Sequence, residues 1–370
     1  MKNTLQRMAI LALLISFLLI GSRLDACTTF CLEGKDGLVF GRNYDWGFGV
    51  GIVVVNKRCL SKTAFVNSRD EPAKWVSRYG SITFNQYGRE LPMGGINEAG
   101  LVVEQMLLSD TRYPDQDERP VLRELAWTQY QLDTCASVDD VIESDAKVRI
   151  LQGSAPLHFL VCDRSGRKAV IEFLEGKMTV HRAEKMPVAA LANSPYAESL
   201  DYLKQFQGFG GEKMIPESAR SLDRFARAAQ AVRLYKAGQR DDQERNIVEH
   251  AFRILEDVSH GPATQWSTVY DLKGLTVRFR TATSPHIKTL ALKDFDFSCE
   301  TPCRVLDIDT KEPGDAVRRF TDYTTEINRK LVFEAWKKTP FLKDTPDEVL
   351  DLLAESPKSI VCGKVESARD

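Results

Sequence analysis

Cys27-Thr-Thr-Phe-Cys-Leu-Glu-Gly-Lys-Asp-Gly-Leu-Val-Phe-Gly-Arg42-Asn-Tyr-Asp45-Trp46 is the stretch that decides how this chain folds. Two runs of β-branched, aliphatic and aromatic residues, Thr28 to Leu32 and Leu38 to Gly41, flank Lys35-Asp36-Gly37, where glycine takes a positive φ at little cost. The pattern predicts a hairpin whose second strand carries Arg42 back toward Cys27, with Asp45 three residues further on. A fixed positive charge beside a thiol favours thiolate. The plainer alternative is an Arg-Asp pair at a strand end, worth at most about 1 kcal/mol.

What precedes Cys27 gives that cysteine its context. Residues 1–26 place Lys2 and Arg7 ahead of an apolar run from Met8 to Ile20 and close on Asp25-Ala26, the layout of a cleaved secretory signal peptide. As a helix the run rises about 20 Å, short of the roughly 30 Å hydrocarbon core, so stable membrane insertion is not expected. Leu24-Asp-Ala-Cys27 also resembles a lipoprotein signal, in which the cysteine would be lipidated and its amine blocked. Cleavage after Ala26 leaves residues 27–370 as one domain, periplasmic or secreted, and gives Cys27 a free amine. That amine, with a reference pKa of about 7.7 to 8.0, can take the thiol proton without a histidine.

The composition excludes several function classes. With 43% hydrophobic and 28% charged residues and a formal charge of −2, the chain has material for a core and no basic footprint for nucleic acid. Removing residues 1–26 takes away Lys2, Arg7, Arg23 and Asp25, so the charge becomes −4. His158, His181, His250, His260 and His286 fit no Cys-His signature and read as surface or core imidazoles. Cys27-x3-Cys31 and Cys299-x3-Cys303 lack the tighter spacing of common zinc sites, so neither metal nor organic cofactor is expected, while Cys299 and Cys303 are candidates to pair.

Further strands are expected over residues 51–56, 81–85, 157–162, 169–174, 178–181, 188–192, 266–272, 275–280 and 287–292. Helices are expected over 119–133, after the Ser137–Asp140 cap, and through 196–257 with breaks at Gly208–Gly211, Pro216 and Gly238. The end of the chain, about 313–370, reads as a helical extension, with Thr345-Pro-Asp-Glu348 as a capping box carrying Pro at N1. Grouped strands with helices between them suggest an α+β or layered αββα domain.

Together these residues resemble the choloylglycine hydrolase and penicillin V acylase family. The resemblance is carried by Cys27-Thr-Thr-Phe30, Phe40-Gly-Arg-Asn-Tyr-Asp45, Met93-Gly-Gly-Ile-Asn-Glu-Ala-Gly-Leu101, Ala192-Asn-Ser-Pro195, Asp223-Arg-Phe-Ala-Arg227 and Thr264-Gln-Trp266, in order. It implies a four-layer αββα N-terminal-nucleophile hydrolase that cleaves linear, non-peptide amides through a thioester. Cys27 would be nucleophile and, through its amine, base; Arg42 and Asp45 would tune it; Asn193 would hold the oxyanion; Arg224 would complete the charge network. Read without the resemblance, Asn193 is a turn residue and Arg224 a solvated helix residue. Where many bile-salt-cleaving members have a second asparagine this chain has Leu107, which keeps only its backbone N–H for the oxyanion, and either Glu104 or Gln105 faces the substrate. Tyr44, Trp46, Phe48 and Met106 are expected to wall an apolar acyl pocket. The expected partner is a small amide with an apolar acyl group, and a homo-oligomer is expected in which the C-terminal extension covers or builds an interface.

Overall fold

A computed structural model of the chain describes residues 27–35, 37–66, 68–153, 155–238 and 246–363. The expected signal peptide and Asp36 of the hairpin turn lie outside the described residues. The main strands are β1 (Thr28–Gly34), β2 (Gly37–Asp45), β3 (Ile52–Asn56), β4 (Ser81–Asn85), β5 (Pro92–Asn97), β6 (Val102–Leu107), β7 (Leu157–Cys162), β8 (Lys168–Leu174), β9 (Lys177–Arg182), β10 (Ala190–Leu191), β11 (Thr264–Asp271), β12 (Thr276–Thr281), β13 (Lys288–Ala291), β14 (Arg304–Asp307), β15 (Gly314–Asp315) and β16 (Thr321–Asp322). The helices are α1 (Glu124–Thr134), α2 (Val138–Glu143), α3 (Tyr196–Leu203), α4 (Ser221–Lys236), α5 (Ile247–Asp257), α6 (Thr325–Lys338) and α7 (Asp347–Glu355).

Two large sheets form the centre. One runs β10-β1-β2-β11-β12-β13-β15, the other β9-β8-β7-β6-β5-β4-β3-β14-β16. Their inner faces share one apolar cluster, to which Phe30, Phe40, Tyr270 and Phe279 come from the first sheet and Ile82, Phe84, Val102 and Leu160 from the second. Phe84 meets Phe279 edge-on at 5.3 Å across the layer. The outer face of the second sheet, with Val103, Phe159, Val161 and Phe173, buries a separate cluster against Trp127 of α1. That double burial explains why β7 reads Leu-His-Phe-Leu-Val-Cys, nearly apolar throughout, instead of alternating. Helices α4 and α5 cover the first sheet by packing on β1 and on β2 with β11, while α1 covers β5 and β6, which completes the αββα order.

The β1–β2 hairpin forms as expected. Gly34 pairs with Gly37 across a two-residue loop, and Gly37 takes φ +145°. Its register sets Thr29 opposite Arg42 and Thr28 opposite Asn43. The Ser137–Asp140 capping box closes in both directions.

Three local expectations are corrected. The helix expected over 119–133 starts at Glu124, because buried Val121 and Leu122 extend to pair with Arg149 and Ile150. The capping box at residues 345–348 does not form: Pro346 is itself the N-cap, without a side-chain hydrogen bond, and Thr345 N–H turns back to Leu342 O. Cys299 pairs with Cys362, not Cys303, at a Cα–Cα distance of 5.7 Å. The short strand Val361–Cys362 pairs with residues 60–61 and so places Cys362, while the Cys303 thiol points to Val55 O at 3.4 Å. The extension is therefore not purely helical, since β15 and β16 complete the two sheets before α6 begins.

Candidate active site

The start of β1 and the end of β2 lie side by side, so the hairpin register alone brings Cys27 to Arg42 and Asp45. Cys27 is 7% exposed; its Sγ lies 3.8 Å from Arg42 Nη2 and 3.9 Å from Asp45 O. Burial pushes the thiol above its ordinary pKa; Arg42 pulls it down and the Asp45 carboxylate pushes it up. The expected effect of Arg42 is thus present, but desolvation outweighs it.

Arg42 is held from the opposite sheet. Its Nη1 donates to Met93 O at 2.8 Å and to Glu104 Oε2 at 2.5 Å, and its Nη2 donates to Gln105 O at 2.9 Å. Glu104 lies on β6 with the inward parity of Val102 and Met106, and its other oxygen accepts Tyr270 O–H at 2.5 Å. A Cβ at residue 94 would collide with this carboxylate, so Gly94 opens the space Glu104 needs. Burial lifts the Glu104 carboxyl to about 7 against the opposing pull of Arg42 and Tyr270. Burial also disfavours the charged guanidinium, yet Glu104 beside it holds Arg42 above its ordinary value.

Asp45 is 1% exposed. Its Oδ1 accepts the Thr264 hydroxyl at 2.5 Å, while Oδ2 lies 3.9 Å from Arg224 Nη1 and has no hydrogen-bond partner. Burial raises this carboxyl to about 6, with Arg224, Thr264 and Arg42 pulling it down.

Arg224 reaches the cluster from the first turn of α4. It donates from Nη1 to Cys27 O at 2.7 Å and to the Thr28 hydroxyl, and from Nη2 to Asn193 Oδ1 at 3.0 Å. Burial lowers its pKa, with Asp45 opposing. Asn193 follows β10, receives that bond on its oxygen and donates Nδ2–H to Leu107 O at 2.9 Å. Behind it, His158 Nε2 lies 2.7 Å from Ala192 O, and both His158 and His181 contact Glu172. Burial raises Glu172, but its two histidine contacts prevail and hold it down at about 2. The histidines thus brace the segment carrying Asn193.

All five residues expected in the chemistry, Cys27, Arg42, Asp45, Asn193 and Arg224, are joined by these contacts. The five expected to touch substrate divide: Tyr44 and Met106 are buried, whereas Trp46, Phe48 and Leu107 are partly exposed. Tyr44 stacks on Trp266 at 3.9 Å and donates to Gln86, and Met106 Sδ accepts the Thr29 hydroxyl at 3.4 Å. Glu104 and Gln105 are both buried. Glu104, weighed from the sequence as a substrate-facing group, turns instead to Arg42. Its signal was the alternation Val102-Val-Glu-Gln-Met106, which fixes its face but not its partner. Thr28 and Thr264 lie in quoted motifs without an assigned role, and Tyr270 carried no signal.

A groove of about 550 Å³ between α6 and the segment Gly49–Ile52 is lined also by Gln265, Leu331 and Lys338, and by none of the five residues above. Among the described residues no group of three or more His, Cys, Asp or Glu side chains is placed to hold a metal ion, and no helix is long and apolar enough to cross a membrane.

Comparison with known proteins agrees with this architecture. A penicillin V acylase from Pectobacterium atrosepticum is 29% identical over 262 residues, covering 61% of this chain and 69% of its own length. The structure of penicillin V acylase from Agrobacterium tumefaciens superposes with a TM-score of 0.69 at 26% identity, over 80% of this chain and 98% of that one. A conjugated bile acid hydrolase from Clostridium perfringens shares the fold, with a TM-score of 0.60 at 19% identity over 80% and 97% of the two chains. The family model for linear amide C-N hydrolases, choloylglycine hydrolase family, matches residues 27–305, three quarters of the chain. With that match and the αββα N-terminal-nucleophile hydrolase fold, this chain belongs to the choloylglycine hydrolase family of linear amide C-N hydrolases.

Proposed function

We propose that the protein is exported, loses residues 1–26, and hydrolyses small linear amides with an apolar acyl group through Cys27. One observation carries this reading: the buried Asp45 Oδ2 has no hydrogen-bond partner, in a cluster where Cys27 lies against both Arg42 and Asp45. An unpaired buried carboxylate oxygen is costly. While Ala26 remains attached, Cys27 N is a peptide nitrogen; cleavage makes it an amine, and its ammonium form is the partner that oxygen lacks.

The reaction runs by acyl transfer. The amine takes the Sγ proton, which burial otherwise keeps on sulfur, and the thiolate attacks the amide carbon. The carbonyl electron pair moves to oxygen, where Asn193 supplies a donor: one Nδ2 hydrogen goes to Leu107 O and the second is left for the oxyanion. The ammonium then protonates the leaving nitrogen, the C–N bond breaks, and the acyl group stays on sulfur as a thioester. Water, losing a proton to the same amine, attacks the thioester; the acid departs and the thiol is restored. Conjugated bile acids, phenoxyacetyl penicillin and N-acyl homoserine lactones are the substrates to try, since each joins an apolar acyl group to a small polar amine.

Intact mass of the exported protein, with turnover of that panel by wild type and Cys27→Ala, tests the reading. A chain beginning at unmodified Cys27, active as wild type and inactive as the variant, is expected. A diacylglycerol adduct on Cys27, or full activity in Cys27→Ala, overturns it.

A further inference from the structure

The family match ends at residue 305, yet residues from beyond it close on the segment that follows Asp45. Trp46 is fixed to the first sheet by its backbone: its N–H donates to Ala263 O at 2.8 Å and its carbonyl accepts Gln265 Nε2 at 2.8 Å. Its side chain is held by the C-terminal extension. The Trp46 side chain neighbours the Tyr87 hydroxyl, and that hydroxyl lies 3.0 Å from Thr339 Oγ1, just past α6. Thr339 O–H is already donated to Ala335 O at 2.8 Å, so Tyr87 must be the donor to Thr339. The relay therefore has one direction, from Tyr87 through Thr339 to the end of α6, with Trp46 beside its outer hydroxyl. Trp336 adds to it, meeting the Tyr87 ring edge-on at 6.5 Å and donating Nε1–H to Tyr87 O at 3.3 Å.

Phe341 then meets the Trp46 ring edge-on at 6.5 Å while 57% of its surface faces solvent. The rings lead inward: Trp46 lies 6.5 Å from Tyr44, whose face is 5.0 Å from the Arg42 guanidinium carbon beside Cys27. Lys338, the last residue of α6, lies over the Phe48 ring at 5.8 Å, so the extension touches the same loop at a second point.

We propose that the C-terminal extension supplies the outer lip of the acyl-binding mouth: Phe341 and Trp46 contact the apolar acyl group, and Thr339, through Tyr87, is the positioning residue that sets the Trp46 ring. The inference rests on the amide hydrolysis proposed above and adds to it the residues that select the acyl group.

The test uses the full processed chain and two amides of the same amine, one acetyl and one phenoxyacetyl, with kcat and KM measured for wild type, Phe341→Ala, Thr339→Val and Thr339→Ser. The phenoxyacetyl-over-acetyl preference in kcat/KM falls about tenfold in Phe341→Ala, through KM, because the lost contact is made equally in ground and transition states. Thr339→Val, which removes the acceptor for Tyr87, lowers the preference about threefold, and Thr339→Ser, which keeps the hydroxyl, restores it. An active wild type whose preference is unchanged in Phe341→Ala, or a loss shared equally by both substrates, overturns the lip and leaves amide hydrolysis standing. A wild type that turns over neither amide overturns both.

Discussion

The floor of the site and its mouth are built by different physics. Beneath Cys27, Arg42 and Tyr270 reach across to Glu104 on the opposite sheet, and Asp45 accepts Thr264 within the first sheet, each through a short hydrogen bond. Around Trp46, the contacts are ring edges, one hydroxyl relay and a half-exposed phenylalanine from the end of the chain. In the floor a misplaced group leaves a buried charge or polar atom unsatisfied, and every part constrains the others. In the mouth a change alters shape and apolar contact while the sheets stay as they are. Changes to the floor should therefore act on stability and rate, and changes to the mouth on selectivity.

The largest effect expected is at Glu104. Glu104→Ala leaves the Arg42 guanidinium buried opposite no carboxylate and should cost about 3–5 kcal/mol of unfolding free energy in urea titration. A cost below about 1 kcal/mol would mean the floor is not the rigid half. Glu104→Gln separates charge from shape. Folding raises the carboxyl from 4.5 to about 7, so the folded chain holds its proton more tightly than the unfolded one. The resulting stability is fully present below pH 4.5 and is lost as pH climbs through about 7. In Glu104→Gln that part of the decline disappears. Equal pH dependence in the two proteins would show that Glu104 does not titrate in this range.

Next comes Asn193→Ala. If the amide holds the oxyanion, kcat falls about 10²- to 10³-fold with little change in KM. A rise in KM alone would move Asn193 from the floor's chemistry to substrate binding. The smallest effect is expected at the tie between the extension and the body. Cys362→Ser opens the link to Cys299 and should cost about 2–4 kcal/mol of stability. Its signature in kinetics is a changed acyl preference with kcat for the acetyl amide retained within about twofold, and a collapse of kcat for both amides would erase the distinction between floor and mouth.

Much of this was legible along the chain because it depends on neighbours in sequence. The hairpin from Cys27 to Asp45 is a local object: strand propensity, a Gly at the turn and a fixed register are enough to bring Arg42 opposite Thr29. Continuous apolar strands such as Leu157–Cys162 were equally plain, since burial on both faces writes itself as composition. The expected strand over 188–192 shrank to Ala190–Leu191, although its exit still positions Asn193. Glu104 shows where such reading stops. Alternation gives its face, but its partners, Arg42 and Tyr270, lie 62 and 166 residues away on the opposite sheet.

The sequence by itself determined the hairpin, the grouping of strands and helices, and the four residues gathered around Cys27, because each is encoded by local pattern or by an ordered set of short motifs. Only the tertiary structure decided that the Cys27 thiol is raised and not lowered, that Glu104 braces Arg42, that Cys299 pairs with Cys362, and that residues 339–341 reach Trp46. Each of these depends on how much water is excluded and on which distant segments meet when two sheets close on each other, and neither quantity is a property of neighbouring residues.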